Sequence, residues 1–566
     1  MCRWAAGRPR ATAPSRSGMT RFGWLAIVGM LLACHLAVPA GTTAAGGWSE
    51  PVKLSGDTIW PWFPDIAAGS DGRVHVVWNG GGNRGDRNEV GALYYTTTSD
   101  RTSWSRPNDI ALIWQGHALR SSIAADAAGR VHLVYKGLGE LGPEALTRRV
   151  LGEEDLWHMT AAGAEADQIS SWSTTMKVNL GTVGYFSDLA IDSRGVLHTV
   201  FTEVEAGRWD IYYRRSTDGG ATWSRRIALD GVHFVWWYRA QLKIDAWDRL
   251  HVVWEMTDMT NLGRTLGAAY AVSTDGGDSW RVSRWQRLTP DLTDGGRGHP
   301  PLPGPQQPSI GVDGWGRVLL VFRDPESDRI VFQLSHNGID WSEPSPLPGI
   351  SRGIRRPYDV YDMVTDSAGR VHLAVVGYPT GSDWLGLLHS VWDGQGWSMP
   401  AVVTAAPPVP EYAAYASAAQ DDSQALPLLS PPYPEYPRLA VSRGNRLHLV
   451  WFGGDRPSVD RVAVGIWYST LLTEAPEQAP PSTAMASPAR PPRRAAAQPL
   501  LRPPPAAVQP LPVVPPASVS GATGEMPSVT YRQWQVVPLL MAGVAVVPVL
   551  AVILLVRLRS FHRTGG

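Results

Sequence analysis

Two runs in this 566-residue chain mix aromatic and basic side chains densely enough to do chemistry: Trp236-Trp237-Tyr238-Arg239 and Arg355-Arg356-Pro357-Tyr358-Asp359-Val360-Tyr361. Aromatic faces stack on sugar rings, and guanidinium forks pair bidentately with carboxylates, so together they suit an acidic carbohydrate. The Trp pair has a second reading, as a cap on a packing interface. A third set invites a metal: His75, His132, His198, His251, His372 and His448 recur at one position of a repeated pattern. Equivalent positions of a repeat are spread around the molecule and cannot converge within about 2 Å of one ion. These histidines are therefore expected to be packing residues with a satisfied ring nitrogen. No metal or cofactor is expected.

The pattern that carries them occurs seven times: an aliphatic pair, an acidic turn ending in Gly, then a strand closing on an aromatic. The copies run 65–78, 122–135, 188–201, 241–254, 309–322, 362–375 and 438–451, and each reads as two antiparallel strands joined by a tight turn. A second hairpin follows most copies, clearest at Ser216-Thr217-Asp218-Gly219-Gly220-Ala221-Thr222-Trp223 and Ser273-Thr274-Asp275-Gly276-Gly277-Asp278-Ser279-Trp280. In these Asp boxes the carboxylate hydrogen-bonds backbone amides, Gly takes positive φ and Trp plugs the turn into the sheet. Shortened versions end at Trp104, Trp341 and Trp397. Asp218 and Asp275 are thus turn formers, and Trp223 and Trp280 are core residues. The fold class is all-β: a seven-bladed β-propeller of four-stranded antiparallel blades, since single blades cannot bury both faces and a ring of them can. Trp48-Ser49-Glu50-Pro51 duplicates Trp341-Ser342-Glu343-Pro344, an outer strand, and the seventh unit lacks that strand. Residues 48–54 should therefore complete the last blade beside 466–469.

The Asp boxes and the strand order resemble the sialidase (neuraminidase) superfamily and its wider Asp-box, or BNR-repeat, relatives across residues 48–470. That resemblance implies three arginines clamping a substrate carboxylate, a Tyr nucleophile beside a Glu, and an Asp acid/base. The family's Arg-Ile-Pro falls on Trp62-Phe63-Pro64, so the first arginine is replaced, and the connection bearing the Asp falls on Arg84-Gly85-Asp86-Arg87, which makes Asp86 the nearest acid/base candidate. Tyr358 and Tyr361 are the candidate nucleophiles, with Glu255, Glu203 and Glu205 as carboxylate partners. Arg239, Arg355 and Arg356 are the candidate clamp. The site is expected on the face of the longer connections, away from the Asp boxes, and two classes of function stay open: a glycan binder or exo-sialidase, and a protein-interaction or adhesion propeller.

The two ends set the topology. Residues 1–45 read as a secretory signal, with an apolar run over 22–38 behind basic residues and small residues at the cleavage point. A lipoprotein box ending at Cys34 is the alternative. Cys2 and Cys34 are the only cysteines, so a chain cut after Ala40 forms no disulfide. The propeller is expected over 46–473, and 474–534 is a Pro/Ala-rich stalk. Residues 535–557 are long enough to span a bilayer, and 558–566 form a basic cytoplasmic tail, which places the propeller outside the cell. Net charge is zero, from 51 basic and 51 acidic residues, so no field attracts nucleic acid. The expected partners are the membrane, through the C-terminal helix, and an extracellular glycan or protein.

Overall fold

The computed structural model describes residues 47–479 apart from 57, 59–60, 81–89, 115–119, 138–154, 182, 206–207, 230–234, 259–264, 287–304, 325–326, 354–359, 407–432 and 455–462. The segments read above as a signal and a membrane span, and most of the one read as a stalk, lie outside these residues. Among the described residues the strands form seven antiparallel sheets. Their innermost strands touch in a closed ring: Trp62–Ala68, Ser122–Ala125, Val183–Ile191, Val235–Ile244, Gln306–Val312, Tyr361–Thr365 and Tyr433–Ser442, numbered here as blades 1 to 7.

Blade 7 closes as the sequence pattern requires. Val52 pairs with Tyr468 and Lys53 with Trp467, so the N-terminal strand is its outermost member. Ser49 N donates to Thr470 O (2.9 Å) and Leu54 N to Ile466 O (2.7 Å). Trp48 then takes the place that an Asp-box Trp holds elsewhere. Around the ring, an aromatic on the third strand of each blade meets a Trp of the next: Tyr95–Trp172, His158–Trp223, Tyr213–Trp280, Tyr270–Trp341, Phe332–Trp397, His389–Trp48 and Tyr468–Trp104. Centroids lie 4.8–6.1 Å apart, with interplanar angles of 65–86°. Edge-to-face packing of this kind contributes beyond the area it buries. Trp172, which no Asp box announces, reaches its slot through the short 3-10 helix Ile169–Ser171.

The recurrent histidines are bonded within their blades. Nδ1 of His75, His198, His251 and His448 meets a third-strand Tyr hydroxyl at 2.6–2.8 Å. His132 and His372 meet a second imidazole instead, His158 and His389, at 3.3 and 3.0 Å. The opposite nitrogen of His132, His251 and His372 faces the turn aspartate, Asp126, Asp245 or Asp366. Burial, the leading cause, pushes His75 down to about 4 and His158, His389 and His448 down to about 3. A histidine depressed in the fold is protonated first in the unfolded chain, so its contribution to stability is complete above pH 6.5 and is lost as pH falls towards 3 to 4. Asp65, raised to about 7 mainly by burial, acts in the opposite sense, but it is one group against four. Thermal unfolding should therefore weaken steadily from pH 6.5 to 4, with His75 alone worth on the order of 3 kcal/mol. A flat midpoint over that range would count against neutral buried imidazoles.

The inner ring has its own device. The free edge of an innermost strand exposes backbone N–H groups, and a side chain of the preceding blade accepts from them. Ile123 N donates to Asp65 Oδ2 (2.8 Å), Leu189 N to Ser122 Oγ (2.9 Å), Leu242 N to Asp188 Oδ2 (2.8 Å) and Leu439 N to Asp362 Oδ2 (2.8 Å). Two cations cross the axis. Lys243 of blade 4 pairs with Asp362 of blade 6 at 2.7 Å. Arg120, entering blade 2, donates to the Tyr436 hydroxyl of blade 7 (3.0 Å) and to the Ala240 carbonyl of blade 4. Burial would raise Asp362, but Lys243 and Arg438 hold it below the ordinary carboxylate range.

Candidate functional site

The strand order puts the first-to-second turns and the Asp boxes on one face. On that face chemistry is spent on turn formation. Asp218 Oδ1 accepts from Thr222 N (2.9 Å) and Oδ2 from Thr222 Oγ1 (2.6 Å), and Asp275 holds Ser279 in the same way. The Thr222 hydroxyl and amide keep the Asp218 carboxyl down at about 2, in the state a turn former needs and a general acid does not. Trp223 and Trp280 pack edge-to-face against His158 and Tyr213, as core residues should.

The other face receives the second-to-third and fourth-to-first connections. Here the inner strands depart from regular pairing. Register breaks occur between Trp62 and Asp65, Tyr185 and Asp188, Tyr238 and Gln241, Gln306 and Ser309, and Glu435 and Arg438. Phe63, Arg120, Phe186, Gln307 and Tyr436 take φ between 49° and 59°. Left-handed backbone at a side-chain-bearing residue costs on the order of 1–2 kcal/mol and re-aims the chain where strands end. Blade 6 differs again. Its inner strand is split into Ile350–Gly353 and Tyr361–Thr365, both paired with Val371–Pro379, Gly353 opposite Gly377 and Tyr361 opposite Val375.

Polar groups are buried where the second strands reach this face: Lys136, Glu203, Glu255 and Arg323. Glu203 is engaged by Arg226 at 2.8 Å, and Lys136 sits over the Tyr185 ring at 3.5 Å. Glu255 Oε2 accepts from Gln307 N (2.9 Å), while Arg323 bonds the Gln306 side chain and pairs with Asp328. Tyr361, 1% exposed, stands between blades 5 and 6 in the fields of both. Burial drives its phenol above the ordinary range, with Arg323 opposing and Glu255 reinforcing the shift. Its hydroxyl is buried with no hydrogen-bond partner among the described residues.

Residues 189–449 match the family model of the BNR repeat-like domain. This chain is a seven-bladed propeller that carries a BNR repeat-like domain. No curated protein matches it in sequence. Similar solved structures include a protein of unknown function from Dyadobacter fermentans, 13% identical, covering 76% of this chain and 100% of its own, with a TM-score of 0.44. An ulvan lyase of a new polysaccharide lyase family is 13% identical over 76% of this chain and 97% of its own, TM-score 0.46. The NanB sialidase from Streptococcus pneumoniae is 13% identical over 76% of this chain and 70% of its own, TM-score 0.37. Likeness at this level carries no chemistry across.

Against this BNR propeller the candidate residues sort as follows. The Tyr361 phenol lies in the field of Glu255, with Arg323, which was not a sequence candidate, acting on it too. Asp86, Arg355, Arg356 and Tyr358 lie outside the described residues. The run Trp236-Trp237-Tyr238-Arg239, expected in a connection, belongs instead to the inner strand Val235–Ile244, where Trp236 pairs with Thr257 and Tyr238 with Glu255. The reason is local: Val, Trp and Tyr in succession favour extended backbone. Trp62, where the family resemblance puts an arginine, packs on Phe452 at 5.1 Å and Phe63 at 5.8 Å. Arg120 was also missed. Its only signal was a lone basic residue ahead of an inner strand, in a place where blades 1, 3 and 7 have aromatics.

Proposed function

We propose that this protein is a cell-surface propeller, tethered by its C-terminal segment, that binds acidic glycans on the face opposite the Asp boxes. The observation that supports the reading most directly is that Glu255 of blade 4 and Arg323 of blade 5 bond the adjacent residues Gln307 and Gln306, with the buried Tyr361 of blade 6 in the field of both. A phenol, a carboxylate and a guanidinium from three consecutive blades are the groups a carboxylated sugar requires, and an unpartnered buried hydroxyl is one that a ligand can satisfy. In the sialidase-like reading Tyr361 or Tyr358 is the nucleophile, Glu255 its partner and Asp86 the acid/base. A second reading, binding without turnover, is favoured by the closed-off Tyr361 phenol and by the packed indole of Trp62.

A glycan array with the purified protein separates glycan recognition from a protein-interaction role, and a fluorogenic sialoside then tests for turnover. Binding to sialylated or uronate-bearing glycans is the expected result; an array blank for acidic sugars overturns the reading. Protease added to intact cells should release the propeller by cutting the stalk, whereas protection until lysis would contradict the surface location.

A further inference from the structure

Every blade but one has its inter-blade Trp within its own continuous stretch of chain. Blade 7 borrows Trp48 from a chain-terminal segment held by noncovalent contacts alone. Beneath that indole lies His389, at 5.2 Å and 86°. Four blades have Tyr at this position and blade 5 has Phe332, so the ring aromatic itself does not call for a titratable group. The other histidine, His158, faces Trp223, which blade 3 supplies from its own continuous stretch of chain. His389 Nε2 meets His372 Nδ1 at 3.0 Å, the rings parallel within 9°, and His372 Nε2 meets Asp366 Oδ2 at 3.1 Å. That carboxylate also accepts from Arg370 Nε at 2.9 Å.

We propose that His389 makes the ring closure acid-sensitive: protonation of the His372–His389 pair loosens Trp48 and frees the N-terminal strand from blade 7 before the propeller unfolds. One proton can be shared along Asp366, His372 and His389, because His372 then donates from both nitrogens and neutral His389 accepts. A second proton gives two imidazolium rings in contact with no acceptor between them. The charged groups of the surrounding elements do not offset it. Asp366 is already shared with Arg370, and Glu50 and Lys53 of the N-terminal segment point to solvent. The strands Gly386–Trp392, Ala401–Ala405 and Ala463–Leu472 add no carboxylate. Burial and His372 hold closed-state His389 down at about 3, so between 6.5 and 3 opening takes up one proton.

Hydrogen exchange on the full chain, divided by intrinsic rates, tests this at Ser49 N and Leu54 N, which bond blade 7. The opening constant there should rise about tenfold for each pH unit below about 6.5, while amides of Leu250–Asp258 stay protected. His389→Tyr, the residue of four other blades, should remove the slope; His158→Tyr should leave it. If His389→Tyr misfolds, His389→Phe serves the same purpose. An unchanged slope in the folded variant, or opening of 49 and 54 only together with the whole propeller, overturns the proposal.

Discussion

Removal of residues 46–54 is expected to turn the propeller into an aggregating species with a much lower unfolding midpoint. In the other six blades the outer strand follows the third strand directly in the chain, whereas blade 7 loses its fourth strand entirely when this segment goes. Three losses coincide. Ile466 O and Thr470 O lose their donors, leaving the edge of Ala463–Leu472 open to pair with another chain. The His389 edge of blade 6 loses Trp48. Leu54, 6% exposed and packed with Phe63, Tyr436 and Ile466, leaves a hole that by itself costs roughly 2–5 kcal/mol. Size-exclusion chromatography and thermal unfolding of the deleted protein check this. A variant that stays soluble and equally stable contradicts ring closure, whatever the pairing of Val52 and Lys53.

Blade number and closure were legible because both are written as repetition. Seven aliphatic-turn-aromatic units and a duplicated Trp-Ser-Glu-Pro need no knowledge of register. Features that depend on register were not legible. The breaks at Phe63, Phe186, Gln307 and Tyr436 follow from how far each inner strand is offset against its partner, and neither Phe-Pro, Phe-Ser nor Tyr-Pro announces left-handed backbone. The cross-axis contacts of Arg120 and Lys243 join residues of blades 2, 4, 6 and 7, so no local window contains them. For the site the outcome is mixed. Glu255 and Tyr361 could be named because a family pattern pointed at them, and Glu203 was a fair rival until Arg226 claimed it. Arg323 carries no mark in sequence beyond being the second-strand residue after Phe322, the place that Glu255 fills in blade 4 and Lys136 in blade 2. Burying charge at the strand ends of that face is costly unless it is paired. The recurrence of the cost across neighbouring blades suggests selection for a site rather than for stability.

Arg355→Ala and Arg356→Ala are each expected to weaken binding of an acidic glycan ten- to hundredfold, while Asp218→Ala lowers the unfolding temperature and leaves affinity unchanged. Gly353 and Val360 are both fixed on the second strand of blade 6: Gly353 opposite Gly377, Val376 N donating to Val360 O at 3.0 Å. Gly353 N also donates to Asp328 O (3.0 Å), beside the ion pair of Arg323. Gly353 and Val360, which flank the two arginines in sequence, therefore both lie on the inner side of blade 6 near Tyr361, whereas Asp218 sits in a peripheral turn whose bonds are local. A charge-assisted pair with a sugar carboxylate is worth roughly 1.5–3 kcal/mol, and each 1.4 kcal/mol is tenfold in affinity. Tyr361→Phe divides the two modes of action. If sialoside turnover exists, loss of the nucleophilic oxygen abolishes it while binding weakens about tenfold at most; if the protein only binds, the variant shows that modest loss of affinity alone and is somewhat more stable, since a buried hydroxyl with no partner among the described residues has gone. Titration calorimetry on the four variants decides the matter, and an Asp218→Ala that loses ligand while Arg355→Ala and Arg356→Ala retain it would falsify the assignment of the site to this face.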